Sequence, residues 1–174
     1  AVSSRAPLGL QESWDNSGLQ VGDAAQACTG VLLALDPTEA VVAEAIGRGC
    51  NLVITHHPLL FRGLKRISGE SAVERTVIAA IRAGVVIYSS HTALDSAIGG
   101  VSAEMAMRLG AEVAAPLQPT APGASTGLGV IAELPEAMDA AGFVELVHKA
   151  FGASPVRGSV PLPGRFTRIA LCGG

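Results

Sequence analysis

The chain has 174 residues, is 49% hydrophobic and carries a net charge of −3, which fits one good core or one domain plus part of a second and excludes a disordered chain. The acidic balance argues against a nucleic-acid-binding protein, because the basic residues are scattered apart from a small group at Arg62, Lys65 and Arg66. No apolar run approaches the length of a membrane span, and three cysteines without C-x-x-C spacing favour a reducing, cytoplasmic location.

Residues 1–115 alternate short apolar runs with helical patterns. The runs at 30–36, 50–57 and 85–91 have the length of buried strands, and 111–117 predicts a further short strand. Helices are predicted between them at 36–49, 71–84 and 99–110. Asp36 is the predicted N-cap of the first helix, and Ser71 with Glu74 forms a capping box before a stop at Gly84. This alternation predicts an α/β fold whose sheet is mostly parallel and flanked by helices.

The segment 116–129 is rich in Pro, Gly, Ser and Thr, which predicts a linker or long loop. It would separate a first α/β lobe (1–115) from the start of a second, related lobe (130–174). The second lobe is predicted to contain a strand at 129–134, a helix at 135–152 and a strand at 166–174. His148 falls in this helical pattern and is interpreted as an ordinary helical residue.

Polar residues with metal-binding chemistry stand at the ends of the three long apolar runs. Asp36 follows the first, His56 and His57 the second, and His91 with Asp95 the third. Ligands of open parallel sheets bind outside the carboxyl ends of the strands, so these groups converge if the strands are neighbours. Imidazole and carboxylate suit Zn, Mn, Fe, Co or Ni. We therefore expect a metal site that includes His56, His57 and Asp95, with His91 either a ligand or a group that orients one.

Each of these residues also has a purely structural interpretation. A histidine at a strand end can simply hydrogen-bond a backbone carbonyl, and Asp95 can cap a helix. Asp36 is more simply explained as a cap than as a ligand. In WDNSGLQVG, Asp15 and Asn16 could hydrogen-bond a metal ligand or its water, or could belong to a turn anchored by Trp14.

Several motifs resemble those of the Nif-three-like family, also called GTP cyclohydrolase I type-two homologues. They are WDNSGLQVG (14–22), ITHHPLLF (54–61) with the GLKRI that follows, and YSSHTALDSAIGGV (88–101). LGVIAELPE and RIALCGG are similar to later family segments in the same order. The resemblance covers essentially the whole chain. It implies two related α/β lobes, a toroidal hexamer built from dimers, and dinuclear metal sites facing an internal cavity.

The resemblance also implies which residues hold the two divalent metals. The family's ligands include both histidines of the HHP motif and the aspartate of HT-x-LD, which correspond to His56, His57 and Asp95. Its remaining ligands, a His and a Glu near the carboxyl terminus, have no counterpart here. We therefore expect a fold truncated at the C-terminus and a site that is roughly half built and binds metal weakly.

The function implied is that of a metal-dependent hydrolase acting on a nucleotide or another phosphate-containing small molecule. Two metals would polarise the substrate and activate a bridging water. The alternative is a non-catalytic assembly that binds metal or a small-molecule ligand, and a third interpretation is a structural α/β protein with unligated histidines. The sequence shows neither a residue that reads guanine nor a phosphate-binding loop.

Overall fold

The computed structural model describes residues 2–152, 156–158 and 164–173. The chain divides into two compact units, Ala1–Leu94 and Asp95–Gly174. Each unit has its own sheet and its own hydrophobic core. The boundary lies after residue 94, whereas the sequence predicted a first lobe that extends to residue 115.

The first unit alternates strands and helices as predicted. In chain order its elements are α1 (Val2–Arg5), a 3-10 turn (Leu8–Leu10), β1 (Gly18–Val21), β2 (Val31–Ala34), α2 (Glu39–Gly47), β3 (Leu52–Thr55), α3 (Ala72–Ala83), β4 (Val86–Ser89) and α4 (His91–Asp95), whose last residue lies beyond the boundary.

The sheet of the first unit has the strand order β1-β4-β3-β2. The three predicted strands β2, β3 and β4 are neighbours and run parallel, so the α/β class and the mostly parallel sheet are confirmed. The fourth strand, β1, pairs antiparallel with β4 and was not predicted, because its four residues follow a turn signal in WDNSGLQVG.

Helices α2 and α3 pack against the sheet through faces made of alanine and valine side chains. The core contains Val42 and Ala45 from α2, Val77 and Ala80 from α3, and the strand residues Val21, Val53, Val85 and Ile87, with Leu59 from the loop after β3. Val53 and Ile87 are completely buried. Because they lie in the middle of β3 and β4, this packing fixes the ends of those two strands.

The capping predictions have mixed outcomes. Ser71 is the N-cap of α3, where its hydroxyl accepts a hydrogen bond from the Glu74 amide at 3.2 Å. Gly84 ends that helix in the left-handed region at φ 65°. The prediction for α2 was wrong: Thr38 is its N-cap and accepts from the Val41 amide at 3.3 Å. Asp36 is two residues too early to reach the first turn.

The second unit contains α5 (Val101–Arg108), β5 (Glu112–Pro119), β6 (Gly127–Met138), α6 (Ala140–Phe151) and β7 (Phe166–Leu171). Its sheet has the order β5-β6-β7, and both described pairings are antiparallel. The alternation of strands and helices in the sequence predicts that β5 belongs to the parallel sheet. This prediction is wrong, because β5 pairs antiparallel with β6 in the second sheet. Buried residues from α5, β6 and β7, among them Ala106, Ala132 and Ile169, form the core of this unit.

Residues 116–129, predicted as a linker or long loop, are the ends of β5 and β6 and the turn between them. The composition has a physical reason other than linker flexibility. A Cβ atom on Gly127 would lie 2.1 Å from the backbone oxygen of Gln118, so this close approach of two strands requires glycine. Pro116 and Pro119 lie in β5, an edge strand, where proline is tolerated.

The predicted helix at 135–152 starts later than expected. Residues 135–138 continue β6, and the helix begins after Asp139, whose carboxylate accepts a hydrogen bond from the Gly142 amide at 2.9 Å. His148 lies in this helix and is exposed.

Candidate metal centre

Three imidazole rings meet at the carboxyl ends of β3 and β4. His56 and His57 follow directly after β3, and His91 begins α4 two residues after β4 ends. One ring nitrogen from each histidine lies within 4.8 Å of the others. The ring centroids are 5.0 Å apart for His56 and His57, 5.4 Å for His56 and His91, and 5.8 Å for His57 and His91.

The register of the parallel strands explains this convergence. Ala34 pairs with Thr55, and Thr55 pairs with Ser89. The ladder continues past the strands, since the His57 amide donates to Leu35 O at 3.0 Å and the His91 amide donates to His56 O at 2.9 Å. Asp36, His57 and His91 each lie two residues beyond one member of the paired row. They therefore arrive together at the same edge of the sheet.

His91 is held by a buried carboxylate. Its Nδ1 lies 2.7 Å from Asp15 Oδ1, and the Asp15 side chain is 0% exposed. The carboxylate also accepts from the Asn16 amide, the Ser17 hydroxyl, and the amide and hydroxyl of Thr92. Burial raises the pKa of Asp15, but these hydrogen bonds, the strongest from His91 and Thr92, outweigh it and lower the pKa to about 2. Asp15 is thus ionised at neutral pH.

His57 has a carboxylate partner as well, and sequence reasoning missed it. Its Nδ1 lies 2.7 Å from Asp36 Oδ1, with the side chains 45% and 58% exposed. The sequence suggests that Asp36 caps α2, but the cap is Thr38. The signal that could have found the pair is the strand register, because the positions that follow β2 and β3 lie side by side.

The two carboxylates decide which ring nitrogens of His57 and His91 can bind a metal ion. An ionised carboxylate only accepts hydrogen bonds, so Nδ1 of His57 and of His91 carries the proton and donates it. The lone pair of each neutral ring is then on Nε2. Metal-ligating histidines are commonly oriented by a carboxylate in this manner. Three clustered imidazoles, two of them oriented, fit a zinc-like or other first-row divalent cation.

Two exposed aromatic residues flank the histidines. Trp14 is 58% exposed and Phe61 48% exposed, and their ring centroids lie 6.1 Å and 6.3 Å from that of His91. The side-chain amide of Asn16 donates to Leu60 O at 2.7 Å. Within WDNSGLQVG, Asp15 thus contacts a candidate ligand, whereas Asn16 fixes the backbone that follows the HHP turn.

The sequence matches the family described as Duf34/NIF3 (NGG1p interacting factor 3) over residues 1–174. The chain belongs to the NIF3 family. A GTP cyclohydrolase 1 type 2 homolog from Clostridium perfringens is 34% identical over 173 residues, which make up 99% of this chain and 66% of the relative. The resemblance seen in the motifs is therefore confirmed, and the chain spans about two thirds of the length of that curated relative.

Solved structures show the same fold. A hypothetical protein from Staphylococcus aureus has a TM-score of 0.89 and 28% identity, covering 99% of this chain and 69% of its own. A Bacillus cereus protein related to NIF3 has a TM-score of 0.87 and 25% identity, covering 99% of this chain and 74% of its own. The α/β fold described above is thus shared with a solved protein related to NIF3.

Other predicted residues of this NIF3 protein lie in the second unit. Asp95 is the last residue of α4, and its role as a metal ligand stays a prediction. His148 is an exposed residue of α6, as its pattern predicted. Among the described residues, no helix combines the length and the apolar character that crossing a membrane requires.

Proposed function

We propose that this chain binds divalent metal through His56 and His57, with His91 as a third imidazole ligand, and that it contributes these ligands to a metal-dependent hydrolase. The observation that carries the proposal is the cluster of three ring nitrogens within 4.8 Å at the carboxyl ends of adjacent parallel strands. The oriented tautomers of His57 and His91 support it, because a chance meeting of histidines does not require a carboxylate behind two of them.

The residues around the cluster would have separate roles in binding. Asp15 and Asp36 hold the protons on Nδ1 of His91 and His57, so each ring presents its Nε2 lone pair in a fixed direction. Trp14 and Phe61 would form an apolar wall beside His91. A bound cation would supply Lewis-acid polarisation of an oxygen atom of the substrate or of water. Asp95 is proposed as a further ligand, and the family resemblance supports a pair of metals rather than one.

The substrate class rests on relatives and not on the geometry. The name GTP cyclohydrolase 1 type 2 homolog, carried by the Clostridium perfringens relative, supports a nucleotide or another phosphate-containing small molecule. A homohexameric ring and a cytoplasmic location belong to the same proposal. Light scattering of the purified chain tests the ring: a mass six times that of the monomer is expected, and a monomer at all concentrations contradicts it.

The metal site is tested by calorimetric titration of Zn²⁺ or Mn²⁺ into the chelator-treated chain. His57→Ala and His91→Ala should each weaken binding by about tenfold or more, because each removes one ligand from the cluster. His148→Ala is the matched control, since it removes an exposed imidazole from α6. Equal loss in all three variants, or no loss in any, would contradict the assignment.

The rival function is a metal- or ligand-binding protein without turnover. Incubation of the metal-loaded chain with a panel of nucleotides and phosphate esters separates the two. Hydrolysis that disappears in His57→Ala supports the hydrolase. Tight metal binding with a uniformly silent panel supports the rival.

A further inference from the structure

The segment between the histidines and α3 has an unusual charge. It is called here the basic loop and comprises residues 61–67, FRGLKRI. Its three cations, Arg62, Lys65 and Arg66, are all exposed. No Asp or Glu occurs between Glu44 and Glu70, although the chain as a whole has a net charge of −3. The loop is therefore a local concentration of positive charge on an acidic protein.

None of these three cations forms an ion pair within the described residues, whereas two other arginines of the first unit do. Arg48 and Arg75 lie 2.6 and 2.9 Å from glutamate oxygens. Like charges within five positions repel one another unless an anion lies among them. The loop therefore lacks its counter-charge in the part of the chain that the structure describes.

Both ends of the basic loop are anchored. At its start, the Leu60 amide donates to Gln20 Oε1 at 3.0 Å, and Leu60 O accepts from Asn16 at 2.7 Å. At its end, the amides of residues 68, 69 and 70 donate to one carboxylate oxygen of Glu74 at 2.9, 2.9 and 3.2 Å. Fixed ends reduce the conformational entropy that the loop loses when a ligand binds.

The loop also begins beside the candidate metal centre. Phe61, its first residue, has its ring centroid 6.3 Å from that of His91, and Arg62 follows at once. A ligand whose reactive part lies at the histidines would therefore have its neighbouring groups next to this cationic segment.

We propose that the basic loop binds the phosphate groups of an oligophosphate-bearing ligand whose remaining part extends to the three histidines. Two guanidinium groups and one ammonium group provide bidentate and point-charge contacts to phosphate oxygens. Three cations match the several negative charges of an oligophosphate better than the single charge of a carboxylate. The inference rests on the proposed function for the part of the ligand at the histidines, but binding of phosphate by the loop itself requires no metal.

The experiment is calorimetric titration of inorganic tripolyphosphate into the metal-free 174-residue chain. The variant that combines Arg62→Ala, Lys65→Ala and Arg66→Ala should bind about tenfold more weakly or worse, with a smaller dependence of affinity on salt. Arg82→Ala is the matched control, because Arg82 is an exposed cation in the last turn of α3, and its affinity should stay within about twofold. The variant with Arg62→Lys and Arg66→Lys keeps the charge but loses the bidentate contacts, so it should bind more weakly than the parent and more tightly than the triple variant.

Three results would overturn the inference: no binding of tripolyphosphate to the parent chain, equal affinities of the parent and the triple variant, or an equal loss with Arg82→Ala. Thermal unfolding of each variant checks that the exposed substitutions leave the fold intact. The metal titration is independent of this outcome. Metal binding without tripolyphosphate binding leaves the proposed function standing and removes the loop from it, and the converse result retains the loop and removes the metal site.

Discussion

The two carboxylates behind the histidines differ in burial, and this difference gives their variants different signatures. Asp15 accepts five hydrogen bonds in a buried position, whereas Asp36 is 58% exposed. Asp15→Asn should lower metal affinity by about 10–100-fold and the free energy of unfolding by about 1–3 kcal/mol. Asp36→Asn should lower metal affinity while it changes the free energy of unfolding by less than about 1 kcal/mol.

Calorimetric metal titration and denaturant unfolding measure the two quantities separately. His148→Ala again serves as the control for metal affinity. Unchanged affinity in both aspartate variants would mean that the carboxylates have no part in orienting the histidines.

At the same scale, the sequence predicted which histidines lie together better than it predicted their carboxylate partners. His56, His57 and His91 could be placed together because strand ends of a parallel sheet share one edge. Asp15 could not be assigned to His91, because the two residues are 76 positions apart and no local pattern links them. Asp36 stood in a sequence that a helix cap explains more simply than a ligand does, and only the geometry of α2 shows that Thr38 is the cap.

At the scale of elements, the start of α2 depends on Thr38. Its hydroxyl accepts from the Val41 amide, one of the donors left unsatisfied at a helix N-terminus. Thr38→Ala should lower the free energy of unfolding by about 1 kcal/mol. Denaturant unfolding measures the change. A loss of this size with Asp36→Ala and none with Thr38→Ala would restore Asp36 as the cap.

The hydrogen bonds at the N-terminus of α3 should make the free energy of unfolding depend on pH in the acid range. Hydrogen bonds from Ser68, first of all its amide, lower the pKa of Glu74 from 4.5 to about 2, with smaller contributions from Ser71 and Glu70 and an opposing effect of burial. The unfolded chain therefore binds more protons between these two values. The stabilisation by Glu74 is fully present above pH 4.5 and is lost as pH falls toward 2.

Glu74→Gln should remove this dependence, so the difference in unfolding free energy between the parent and the variant should shrink as pH falls from about 5 to about 2. Asp15 also has a lowered pKa, but it contributes equally to both proteins and cancels in the difference. The comparison therefore isolates Glu74. Chemical unfolding at a series of pH values measures it. A difference that stays constant over this range would contradict the account.

Element type was more predictable than element partnership. The apolar runs at β2, β3 and β4 were enough to predict strands, and Ser71 with Glu74 was enough to predict the start of α3. The run at 111–117 also became a strand, β5, but it pairs with β6 in a separate sheet. A strand pattern states which residues are extended and apolar, whereas the choice of partner depends on turns and contacts distant in sequence, such as the one that requires Gly127.

At the scale of the whole molecule, metal binding should stabilise the folded chain. A cation that binds only the native state adds about 2.7 kcal/mol to the free energy of unfolding at a concentration 100 times its Kd. Denaturant unfolding of the parent with and without Zn²⁺ should show an increase of about this size, reduced by any binding to unfolded histidines. His57→Ala should show a much smaller increase at the same concentration. Equal stabilisation of both proteins would place the metal elsewhere.

The division of the whole chain was the least predictable level. Composition changed most at 116–129, so the sequence suggested a boundary there, yet the units divide after Leu94, within the short helix that begins at His91. Glycine and proline mark both linkers and tight hairpins, and the sequence alone does not distinguish the two. The class of the fold was recoverable because it depends on the order of strands and helices.

We propose above that His56, His57 and His91 hold a metal ion. Anomalous diffraction from crystals of the chain grown with Zn²⁺ tests it most directly, because it locates the ion without any assumption about activity. We expect an anomalous peak about 2.0–2.1 Å from ring nitrogens of this cluster. A structure in which Zn²⁺ occupies another site, while the three rings bind no ion, would contradict it.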